Sequence, residues 1–142
     1  MSGVSVEQLR RHWQERIPFN RLCGVVVSRW DDTGVRMEVD DAEALSNGVG
    51  SMHGGVVATL VDTVANAAAI TVGDFAPGTQ VVTVSLTVNF TGPARGHLVA
   101  DAACNGPRRT LRSVTVDVRD ELGAPVASGL VVVKVSAGVA AS

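Results

Sequence analysis

A chain of 142 residues is long enough to bury one core and too short for two ordinary domains. Its formal net charge of -2 excludes a general pull toward nucleic acid or an anionic membrane, because the basic residues are scattered, with no run longer than pairs such as Arg10-Arg11 and Arg108-Arg109. Any phosphate binding must therefore be local, and Cys23 and Cys104, in apolar surroundings without metal-ligand spacing, read as reduced core thiols of a cytoplasmic protein.

The N-terminus, Met1 to Glu7, lacks a basic start followed by an apolar block and is no secretory signal. Ser5 and Gln8 supply the two halves of a capping box, and Val6, Leu9, Trp13 and Ile17 recur at helical spacing until Pro18. This predicts one short amphipathic helix with His12 on its solvent side. Two strands are predicted next, Cys23 to Trp30 and Gly34 to Asp40, joined by the turn Asp31-Asp32-Thr33-Gly34.

From Gly54 to Val72 the only polar side chains are Thr59, Asp62, Thr63, Asn66 and Thr71, which predicts a helix apolar nearly all round and buried in the middle of the fold. It is no membrane span, because Asp62 and Asn66 lie at its centre, where polar groups are costly in lipid. Beyond the Phe75-Ala-Pro-Gly78 loop, Val82, Val84, Leu86, Val88 and Phe90 alternate with Thr83, Ser85, Thr87 and Asn89, the clearest strand signal here. Further strands are predicted from His97 to Cys104, from Ser113 to Arg119 and through Val135, each set off by a Gly-Pro or Gly-Ala-Pro turn. One domain over residues 1–136 is expected, with 137–142 a small disordered tail.

Consecutive strands on tight turns argue for an antiparallel sheet, and a helix apolar on every side needs something wrapped round it. The expected class is α+β, a curled six-stranded antiparallel sheet around one long helix, with a short N-terminal helix.

The start of the long helix carries the chemistry. A His53-Gly54-Gly55 turn offers unpaired backbone N–H groups to a polarised oxygen, and glycine, having no Cβ, lets a ligand come close. Asp62 puts a carboxylate in a costly apolar setting. Nine helical residues at about 1.5 Å rise separate His53 from Asp62 by about 13 Å along the axis, too far to share one small carbonyl within a chain. In a two-fold dimer, each site could take His53 and Gly54 from one chain and Asp62 from the other.

His53-Gly54-Gly55, Asp62 nine positions after His53 and Asn47 six before it resemble the hotdog-fold acyl-CoA thioesterases, most closely the phenylacetic-acid-degradation branch. Pro18-Phe19, the run Asn89 to Gly96 and Arg109 to Ser113 also fall where that family has matching elements. The hydroxybenzoyl type, with an early Asp-x-x-x-His-Val pattern, is not matched. The His-Phe-Pro and Asp-x-x-x-x-His arrangements of hotdog dehydratases and hydratases are absent too, and a further branch carries Glu where this chain has Asp62.

The resemblance implies an acyl-CoA hydrolase, without metal or other cofactor, acting as a homodimer that pairs into a homotetramer. Gly54 N–H would polarise the thioester carbonyl, with Gly55 beside it at the substrate, and Asp62 would act as base or nucleophile. Asn47 would orient water or thioester, and Thr83 would hold water beside Asp62. Against these stand plainer roles: a turn residue for Asn47, a strand's polar face for Thr83, a structural bond ahead of the helix for His53, and a buried hydrogen-bonded carboxylate for Asp62. Asn66 either lines the acyl pocket or pairs with a polar neighbour. Arg95, Arg108, Arg109 and Arg112 are candidates for the CoA phosphates or are solvated surface arginines. The rival activities are a hotdog hydratase or dehydratase and a protein that binds acyl-CoA without cleaving it.

Overall fold

The structure, a computed structural model, describes residues 3–138. Most of the tail expected to be disordered lies outside the described residues, as do Met1 and Ser2.

The N-terminal helix is more broken than its apolar spacing predicts. The Ser5–Gln8 capping box is present and starts α1 (Val6–Arg11), which passes into a π-helical turn over His12–Arg16. Pro18 then opens a new helix, α2 (Pro18–Cys23), instead of simply ending the first. Proline at a first helical position loses no hydrogen bond and has its φ pre-set, so the same residue serves both purposes. Gly24, at φ 72°, closes α2 in the left-handed conformation, so Cys23 belongs to a helix and not to the strand expected there. His12 is half-buried, its ring 5.1 Å from that of Phe75, and not on the solvent side. The wider π turn rotates it off the 3.6-residue stripe.

The sheet follows the period-two patterns closely. Strands β1 (Val26–Asp31), β2 (Gly34–Val39), β3 (Gln80–Phe90), β4 (Leu98–Asn105), β5 (Leu111–Asp120) and β6 (Pro125–Ser136) pair antiparallel in the order β1-β2-β4-β5-β6-β3. Val35, Met37 and Val39, then Leu98, Ala100 and Ala102, then Val114, Val116 and Val118, and finally Val131 and Val133 turn one face inward. Helix α3 (Gly54–Ala69) lies across that face and touches β2 to β6. The helix comes close to the sheet at Gly129, where a Cβ would sit 2.5 Å from Val61 Cγ1, so glycine there lets the helix settle as deeply as it does. This is the expected hotdog arrangement.

Two features of α3 depart from expectation. It ends at Ala69, short of Val72, because its last carbonyls are taken by arginine side chains and the chain turns at Thr71–Asp74. It is also not buried all round: Thr59, Asp62 and Asn66 form a half-buried stripe beside β3, the end strand of the sheet.

Candidate active site

The loop before α3 is held by its own polar residues. Asn47 Oδ1 accepts from the N–H groups of Val49 (2.9 Å) and Ser51 (3.3 Å), and Nδ2 donates to Ser51 Oγ (2.8 Å). The amide of Asn47 is thus spent inside its loop. Met52 and His53 anchor the next step, donating to Ala94 O and Leu45 O, each at 2.7 Å.

His53 is the N-cap of α3: Gly55 N–H donates to its Nδ1 at 2.8 Å. That bond requires the ring proton on Nε2, and it requires glycine at 55, where a Cβ would stand 2.9 Å from Nδ1. With Gly55 N–H taken by the cap, Gly54 N–H is left without a partner among the described residues, at an exposed position. It points from the positive end of a 16-residue helix, where a developing oxyanion is stabilised. The Phe90 ring lies against it; a Cβ on Gly54 would touch Cε1 at 3.5 Å.

A second cluster forms two turns further along. Thr83, on β3, donates its hydroxyl to Asp62 Oδ1 at 2.5 Å, and Asn66 Nδ2 lies 2.8 Å from Thr83 Oγ1 and 3.2 Å from Asp62 Oδ1. Asp62 and Asn66 are one helical turn apart on the same face, which is why a single strand residue can meet both. These three side chains line a cavity of about 410 Å³ whose apolar wall comes from Trp13, Ile17, Phe19, Val81 and Val82. Asn20 and Thr63, both buried and joined at 2.8 Å, complete it together with Thr59.

Asn47, His53, Gly54 and Gly55 do not line that cavity, so within one chain the open N–H and the carboxylate are separate. Sequence patterning puts Trp13 and Ile17 only on the apolar stripe of a helix and gives Asn20 and Thr63 no place at a site. The available signal was Asn20, a polar residue within a short helix that Pro18 opens.

The arginines do not converge. Arg95 is exposed, beside Ser51 and Gly96 at the loop end of the molecule. At the opposite end, Arg108 donates to Ala68 O (2.9 Å) and Ala69 O (2.8 Å), closing the C-terminus of α3. Arg112 is buried, donates to Ala69 O at 2.6 Å and grips Asp74 with two bonds of 2.7 and 2.9 Å. Those bonds outweigh desolvation and hold the Asp74 carboxyl far below the usual carboxylate range. Arg109 is exposed beside them.

Among the described residues, no three His, Cys, Asp or Glu side chains gather as metal ligands would, both cysteines are free, and no helix is long and apolar enough to cross a membrane.

Residues 49–127, more than half of the chain, match the family model described as the thioesterase superfamily. A protein of Halobacterium salinarum whose name proposes an esterase is 37% identical over 85 residues, 58% of this chain and 56% of that protein, so the chain spans little more than half of that relative's length. A thioesterase family protein of Silicibacter pomeroyi superposes with a TM-score of 0.83 at 24% identity, over 94% of this chain and 100% of that one. A thioesterase of Haemophilus influenzae gives 0.80 at 18% identity, over 95% and 92%. Both likenesses are of fold alone. AziG of S. sahachiroi gives 0.73 at 30% identity, over 82% and 94%.

Proposed function

The chain belongs to the thioesterase superfamily, and from that premise we propose that it hydrolyses acyl- or aryl-CoA thioesters to free CoA and a carboxylic acid, on the phenylacetic-acid-degradation branch. The observation that carries this is the carboxylate of Asp62, held on one oxygen by Thr83 at the wall of a cavity whose other side is apolar. A protein that merely held an acyl group would gain nothing from an anion facing an electron-rich thioester.

In this reading Gly54 N–H receives the thioester carbonyl oxygen, and Asp62 acts in one of two ways. As a base it takes a proton from water, the hydroxide attacks the carbonyl carbon, and the tetrahedral oxyanion collapses with loss of the CoA thiolate, which takes up a proton. As a nucleophile it attacks the carbonyl carbon and the carbon–sulfur bond breaks, expelling the CoA thiolate, which takes up a proton; water then opens the resulting anhydride to the carboxylic acid and the free Asp62 carboxylate. The reaction uses no cofactor, CoA being part of the substrate. Arg95 and Arg109, both exposed, are the candidates for its phosphates; Arg108 is committed to helix carbonyls.

The active unit in this reading is a homodimer, pairing further into a homotetramer, with each site taking Gly54 from one subunit and Asp62 from the other. Eight helical residues, about 12 Å, separate the two within a chain. The edge of β3 also exposes Val84 (57%), Leu86 (40%) and Phe90 (57%), an apolar strand edge that favours being covered.

Thiol release from a panel of acetyl-, hexanoyl-, palmitoyl- and phenylacetyl-CoA tests the reading. Asp62→Asn should lower kcat at least a thousandfold on any ester the wild type cleaves, with affinity for the ester within about tenfold. Mixing Asp62→Asn with inactive Gly54→Pro protein under subunit exchange should restore activity, since one site of each heterodimer is intact. Near-normal turnover by Asp62→Asn would overturn the assignment.

A further inference from the structure

Asn66 is the least expected member of the carboxylate cluster. Its Nδ2 has two hydrogens and three acceptors within reach: Asp62 O at 2.8 Å, Thr83 Oγ1 at 2.8 Å and Asp62 Oδ1 at 3.2 Å. The first is the backbone carbonyl one turn back, and it fixes the rotamer by tying the amide to its own helix. The second decides the direction of everything downstream. A hydroxyl has one hydrogen, and Thr83 Oγ1, already accepting from Asn66, gives that hydrogen to Asp62 Oδ1 at 2.5 Å. The chain of donors therefore runs one way, from the Asn66 amide through the Thr83 hydroxyl to the carboxylate, each bond polarising the next.

The result is asymmetric. Asp62 Oδ1 takes the Thr83 hydroxyl at 2.5 Å and has Asn66 Nδ2 beside it at 3.2 Å, whereas Oδ2 has no hydrogen-bond partner among the described residues. We infer that Asn66 is a positioning residue that acts through Thr83 to pin Oδ1 and leave Oδ2 as the one oxygen that reacts. This rests on the reading of Asp62 as the reacting carboxylate and adds which atom reacts and what selects it. Thr83 cannot offer its one hydrogen to a water while it gives that hydrogen to Oδ1, so its contribution is to aim the carboxylate. The bulge of β3 between Thr83 and Ser85 is the backbone feature that accompanies this aim.

Four variants test the chain of donors on the best-cleaved ester of the panel. Asn66→Leu, close in size but without a donor, should lower kcat about tenfold to a hundredfold with KM within about twofold. Thr83→Val should do the same, and Thr83→Ser, which keeps the hydroxyl, should restore kcat to within about threefold of wild type. The double variant Asn66→Leu/Thr83→Val should be no more than about twofold worse than the poorer single one, because both break the same chain. A merely structural Asn66 would give multiplied effects or a lowered melting temperature with unchanged kcat. An Asn66 that lines the acyl pocket would raise KM instead; any of these outcomes overturns the inference. Should Asn66→Leu fail to fold, Thr83→Val on an edge strand that favours β-branched residues still decides, since kcat within twofold of wild type removes the clamp. If Asp62→Asn hydrolyses normally, the hydrolase reading itself has failed; if Asp62→Asn is inactive while Asn66→Leu and Thr83→Val are normal, only the clamp has.

Discussion

The two ends of the central helix are finished in opposite ways. At the C-terminal end, Arg108 and Arg112 fill the carbonyls of Ala68 and Ala69, and Arg112 is locked to Asp74, so these terminal groups of the helix are taken. At the N-terminal end, His53 takes one N–H and leaves its neighbour, Gly54, exposed and without a partner among the described residues. Every helix begins with four unsatisfied donors, so an open donor alone means little. The contrast within one element is more telling. The same helix that has two arginines spent on its last turn has a residue at its first turn that satisfies Gly55 and passes over Gly54.

The sharpest way to break this contrast is Gly54→Pro. Proline suits the first helical position, and His53 at φ -59° and ψ 136° already has the extended conformation that a following proline demands, so the fold should survive. The variant deletes one N–H. If that donor holds the thioester oxygen, kcat should fall by about a hundredfold to a thousandfold, the usual cost of one such donor. Circular dichroism and thiol release together check it; a folded variant with normal turnover would make the open end an ordinary frayed terminus.

The closed end should answer in stability instead. Arg112→Met removes a buried cation, leaving Ala69 O to Arg108 alone and Asp74 without its cation, and should cost about 3 kcal/mol by chemical denaturation. Acid should reveal the same pair. Because Asp74 is depressed in the folded state, its contribution is complete above the unfolded carboxyl pKa of about 4 and is lost as pH falls from there toward the folded value. The wild type should therefore lose melting temperature below about pH 4 more steeply than Arg112→Met, and parallel acid limbs would show that the ion pair adds nothing.

Much of this contrast was legible in the sequence at one end and hidden at the other. His53-Gly54-Gly55 announces a helix start with close backbone approach, because glycine's missing Cβ and a capping side chain are local facts. The cap at the far end depends on Arg108 and Arg112, about forty residues beyond the carbonyls they fill, and no local pattern reports so long a return. The strands were legible for the same reason as the helix start, since alternation such as Val114, Val116 and Val118 is local. The division at Pro18 was not, because a proline both ends and begins helices and only the packing of Asn20 against Thr63 shows which. The cavity wall was hidden likewise: Trp13 and Ile17 look like core residues until a carboxylate is found across from them.

The smallest expected effect separates two neighbouring arginines that the sequence groups as one pair. Arg108 spends its Nη1 on the last carbonyls of α3, where a cation also meets the negative end of the helix. Arg109 is exposed, and its own carbonyl accepts from Arg112 Nε at 2.7 Å, so its backbone is fixed while its side chain reaches solvent. Arg108→Ala should therefore cost about 1 kcal/mol of stability and leave KM for the CoA ester unchanged. Arg109→Ala should leave the melting temperature unchanged and raise KM several-fold at low salt, with the difference fading as salt screens the phosphates and with kcat held, since a phosphate contact is the same in ground and transition states. The opposite assignment, with Arg108→Ala raising KM and stability untouched, would mean that Arg108 serves the ligand and does not close the helix, and the contrast between a filled and an open terminus would no longer hold.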